Sequence, residues 1–169
     1  MTHPAIFARP EPRLEQRRTD AGDVSRLRPI LLLVLLMSMA ATGIELLLLE
    51  HTESATQWIP LGLLGAGFLS ALAVAVWPHP PALTLFRGIM GLFVIAGVVG
   101  LYLHYRGNLE FELEMNPALE GMELFRKTMM GATPTLSPGV MGQLGLLGLL
   151  YAYRYPRLRT ADDLPEENR

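Results

Sequence analysis

The sequence predicts an all-α integral membrane protein in which four transmembrane helices form a compact bundle. Three observations carry that prediction. Charged residues make up 18% of the 169, against roughly 25% in a soluble domain, and they are crowded between four long apolar stretches. Each stretch approaches the ~20 residues a helix needs to cross a ~30 Å hydrocarbon core. The basic residues are shared unequally between the connections, which sets an orientation.

Residues 1–28 form a polar tail with six arginines, four acids and no sustained apolar period. The membrane domain, 29–155, follows. Its first span, about 29–50, reads "PILLLVLLMSMAATGIELLLLE". Ser38 and Ala40 have the spacing of a signal-peptide cleavage site, but the apolar run resumes beyond them, so a retained helix is expected. The second span, about 57–77, has Trp58 and Trp77 near its ends as interfacial anchors and Pro60 in its first turn. After the turn "PHPPA", with His79 as a loop residue, the third span runs from about 83 to 105 and places Tyr102 and Tyr105 at the far interface. An insert, 106–133, precedes the fourth span, about 136–154, which leaves the membrane among Tyr151, Tyr153 and Tyr155. Residues 156–169 form a second polar tail.

With the N-terminus inside, eleven Arg and Lys residues fall on the inner side, and Arg106, Arg126 and Lys127 are the three on the outer side. That division predicts N-in, C-in topology in a prokaryotic plasma (inner) membrane, both termini cytoplasmic. Eight glutamates then lie outside and make the outer face net negative.

Lipid offers helices no hydrophobic reason to associate, so contact faces are expected to carry small residues with polar groups as glue. Gly139, Gly142, Gly145 and Gly148 recur every three residues in the fourth span. Gly97, Gly100 and His104 share a face of the third, Gly62 and Ala66 pair in the second, and Ser38, Ala41, Thr42 and Glu45 form a small, polar stripe on the first.

The outer insert has two expected parts. "LEFELEM", Leu109–Met115, alternates apolar and acidic residues, the period of an extended segment with one apolar face. Asn116 as N-cap and Pro117 as first helical residue then announce an interfacial amphipathic helix ending at Gly131. Arg106, Gly107 and Asn108 read as the exit turn.

Candidate chemistry is sparse. Glu45, His104 and Gln143 come from three helices and lie at one depth near the outer leaflet, a candidate polar cluster. A carboxyl and an imidazole sharing a desolvated site can exchange a proton near neutral pH; the plainer reading is interhelical hydrogen-bond glue. His51, Glu53, Glu110 and Glu112 are possible outer-face cation or metal ligands, and a metal or haem is a third reading, although no helical His pair or H-E-x-x-H occurs. No cofactor is predicted. The absence of cysteine removes disulfides and thiolate metal sites, and no basic cluster with interleaved aromatics points to nucleic acid. The expected function is that of a non-catalytic accessory or assembly subunit that contacts the bilayer and other membrane proteins, or itself. The alternative is a small proton-coupled transporter or channel subunit using Glu45 and His104.

Overall fold

The computed structural model describes residues 12–50, 54–153 and 155, with side chains from Arg26 onward. It contains five helices: α1 (Pro12–Leu48), α2 (Trp58–Val76), α3 (Pro80–Met115), α4 (Gly121–Met129) and α5 (Gly139–Ala152). No strand occurs among the described residues. Three segments, Arg26–Leu48, Trp58–Val76 and Pro80–Met115, are long and apolar enough to cross a membrane, and α5 is a shorter apolar helix.

The exposed surface explains what such helices require. Leu33, Met37, Leu48, Leu69, Val76, Leu85, Val98 and Leu146 are all more than 60% exposed, which in water would be an aggregating surface and in lipid is a solvated one. The all-helical chain is therefore suited to a lipid bilayer, as a helical membrane protein is.

The four long or apolar helices close into a ring: α1 packs on α2 and α5, α2 on α3, and α3 on α5, while α4 rests on α3. The core inside the ring is built from Leu35 and Met39 of α1, Leu64, Ala71 and Val74 of α2, Leu83, Phe86, Met90 and Phe93 of α3, and Met141, Leu144 and Tyr151 of α5.

The contact of α3 with α5 is the most extensive, and glycine makes it possible. A Cβ on Gly97 would stand 2.5 Å from the Gly142 nitrogen, and one on Gly145 would stand 2.6 Å from the Met90 carbonyl oxygen. A Cβ on Gly100 would meet Pro138 at 2.6 Å, and one on Gly148 would run into the Met90 side chain. Gly139 is looser, its nearest neighbour Leu101 at 3.8 Å. On α2 the structure departs from expectation: Gly62 and Ala66 are exposed, and the close approach there is made by Gly67, whose missing side chain admits the Phe93 ring and Met39.

His79 is more than a loop residue. It is the N-cap of α3, its Nδ1 accepting from the Ala82 amide at 3.1 Å, with Pro80 at the first helical position.

The insert 106–133 corrects two expectations. Leu109–Met115 is not extended; α3 runs unbroken through it. Leu, Glu and Met are good helix formers, adding turns to an existing helix avoids the cost of nucleation, and the Arg106 guanidinium donates to Glu110 one turn on. A lone strand would have had no neighbour to pair with. Asn116 does not cap a following helix either. It closes α3 in extended conformation, as a residue before proline is biased to do, and its Oδ1 accepts from the Ala118 amide at 3.2 Å. The amphipathic helix starts four residues later than expected, at Gly121, whose φ of +59° suits glycine. It ends at Met129, two residues before Gly131.

Candidate functional site

The extension of α3 beyond Tyr105 organises one end of the protein. Asn108 is only 3% exposed and makes five hydrogen bonds. The two hydrogens of its Nδ2 are shared among the Thr133 carbonyl (2.7 Å), Thr135 Oγ1 (3.0 Å) and the Thr128 carbonyl (3.1 Å). Its Oδ1 accepts from Thr133 Oγ1 (2.8 Å) and from the Thr133 amide (3.1 Å). Thr135 Oγ1 donates in turn to the Thr128 carbonyl at 3.2 Å. One carboxamide thus satisfies the backbone of a segment that belongs to neither a helix nor a sheet, which a buried loop must achieve to be stable.

The same stripe of α3 guides the whole return of the chain. Gly131 is packed so closely on Asn108 that a Cβ would stand 2.6 Å from its side chain. The His104 Nδ1 lies 3.2 Å from the Pro134 carbonyl, Gly100 receives Pro138, and Gly97 receives Gly142. Residues 97, 100, 104 and 108 recur every three or four positions and therefore share one face. The outcome is a helical hairpin, α3 extension and α4, clamped to the top of the bundle, with Tyr105 and Phe125 rings 6.4 Å apart between its two arms.

The uncovered surface of this hairpin is apolar and acidic together. Met115, Met122 and Met130 are 72–78% exposed, and Phe111 and Phe125 are about half exposed. Glu110, Glu114, Glu120 and Glu123 are exposed among them, Glu110 paired with Arg106 and Glu123 with Lys127 at 3.8 Å.

The residues expected to form a polar cluster have separate surroundings. Glu45 is exposed near the end of α1, Gln143 is exposed on α5, and His104 is half-buried against the Pro134 carbonyl. No hydrogen bond joins the three. His51 and Glu53 lie outside the described residues, Glu112 is half-buried, and no group of three or more candidate ligands converges among the described residues.

Two features escape a reading of the sequence. Asn108 continues the Gly97, Gly100, His104 spacing, a signal that becomes visible only once α3 is allowed to run past Tyr105. At the opposite end, Arg28 of α1 donates to the Tyr151 and Tyr153 carbonyls (2.9 and 2.6 Å), and Arg87 of α3 donates to the Ala152 carbonyl (2.8 Å). The last carbonyls of a helix have no partner within it, and at the end of α5 the two guanidinium groups satisfy those of residues 151–153.

Comparison with protein-family models, with curated proteins and with solved structures finds no match to the chain. The class rests on the structure itself: an all-helical protein suited to a lipid bilayer, with a hairpin clamped to one end of the bundle.

Proposed function

We propose that the chain is a non-catalytic accessory or assembly subunit of a prokaryotic plasma membrane, and that its outer hairpin is the element that meets a partner protein. The observation that carries this reading is the combination of a segment fixed by five hydrogen bonds to Asn108 with uncovered Met115, Met122 and Met130 beside it. Ordering a loop costs roughly 1–2 kcal/mol per residue, and an ordered surface that still leaves adaptable methionines in contact with water suits recognition. The acidic rim gives that surface a preference for a basic partner.

The proposed topology has four spans with both termini in the cytoplasm and the hairpin outside, its amphipathic α4 at the membrane edge. Support comes from the unequal distribution of arginine and lysine and from the packing of α5 on α1 and α3.

The chain has no cysteine, so a single Met122→Cys substitution gives one reactive position on the hairpin. In native membranes it should cross-link to a second protein, and the detergent-purified chain should migrate as part of a complex. A strictly monomeric chain that cross-links to nothing contradicts the proposal.

A further inference from the structure

We infer that the end of the bundle where α5 terminates binds the phosphate headgroup of an anionic glycerophospholipid, gripped by Arg87. The two guanidinium groups come from different helices and are drawn to consecutive carbonyls, residues 151–153, of one helix end. Those carbonyls are neutral acceptors. They satisfy hydrogen bonds and contribute only the partial negative charge of a helix C-terminus, about half a charge, against the full positive charge of Arg87. Arg87 is exposed, donates to Ala152 through one nitrogen only, and has no carboxylate within ion-pairing distance among the described residues. The rest of its planar fork is free to grip phosphate in two-point fashion.

The location favours a lipid over free phosphate. Arg28 lies over the Tyr155 ring at 5.2 Å, Tyr151 stacks edge-on with Phe86 and Tyr155, and Tyr153 is 60% exposed, an aromatic girdle of the kind found at headgroup level. Leu27 and Ile30 on α1 and Leu146 and Leu150 on α5 are exposed nearby along the same helices and offer a bed for an acyl chain. Basic groups between transmembrane helices at this depth are a recognised arrangement for acidic headgroups.

The test uses the full chain in vesicles, with Trp58 and Trp77 replaced by Phe and Tyr153→Trp as reporter beside the site. Brominated phosphatidylglycerol should quench it with roughly fivefold preference over brominated phosphatidylcholine, the effect of about one arginine at an acidic surface. Arg87→Gln should remove that preference and Arg87→Lys should keep most of it. A control chain that retains Trp58 as its one tryptophan, at the other end of the bundle, should show no preference. Equal quenching by the two lipids, an equal preference at Trp58, or retention of the preference in Arg87→Gln overturns the inference. So does displacement of the lipid by inorganic phosphate, which would assign the site to a soluble anion. If Arg87→Gln does not fold, the lipid comparison on the Arg87 chain and its Lys variant decides.

Discussion

At the scale of single residues, Asn108 has the largest influence for its size. Replacing it with Ala leaves the Thr133 amide and carbonyl without their partner, at about 1–3 kcal/mol for a buried group left unsatisfied, while the Thr128 carbonyl keeps the Thr135 hydroxyl. Asn108→Ala should therefore speed hydrogen exchange of the Thr133 amide roughly thirtyfold, as about 2 kcal/mol of local stability implies. Thr128→Val serves as its counterpart: the Thr128 hydroxyl is buried with no hydrogen-bond partner, so exchange should be unchanged or slower. Glycines divide in the same way. Gly97→Ala forces a methyl against the Gly142 backbone and should lower the thermal midpoint by an amount equivalent to about 1–3 kcal/mol, whereas Gly62→Ala has open space around it and should leave it unchanged. The sequence pattern makes both glycines equally small. Only the packing tells them apart, which is why Gly97 and Gly100 are legible as a contact face while Gly62 and Ala66 turn outward.

At the scale of elements, α3 is where sequence and structure part. Its apolar section is plain in the sequence, but the alternation of Leu109, Phe111, Leu113 and Met115 with glutamate reads as period two although the residues are helical. Alternation decides for a strand only where a sheet exists to receive it. Without one, high helix propensity and an existing helix to extend prevail. Spin labels placed singly along 109–115 should follow the helical period, restricted at 109, 112 and 113, which are half-buried, and mobile at 110, 111, 114 and 115, which are exposed. A two-residue period, with 109, 111, 113 and 115 alike, would restore the extended segment. The Arg28 and Arg87 caps were equally hidden, because nothing local in the sequence ties a guanidinium in α1 or α3 to the end of α5 more than sixty residues away.

At the scale of the whole molecule, the apolar helices and their ring follow from composition: lipid-length runs, small residues where α3 and α5 meet, and charges kept to the ends. The site was less legible. Glu45, His104 and Gln143 share a depth, and depth alone does not make them neighbours, since Glu45 and Gln143 turn outward. What the structure adds is a clamp at one end of the bundle and a pair of arginines at the other, both arising from one requirement, that backbone outside regular helix must find partners within the protein.

The central claim, four crossings with the hairpin outside, is tested by labelling single cysteines in this cysteine-free chain with a membrane-impermeant maleimide on intact cells. Cysteines at Ala55 and Met122 should label at once, and cysteines at Pro80 and Glu167 only after the membrane is opened. Labelling of the Glu167 position in intact cells together with Met122 would mean that α5 does not cross, and would contradict the account.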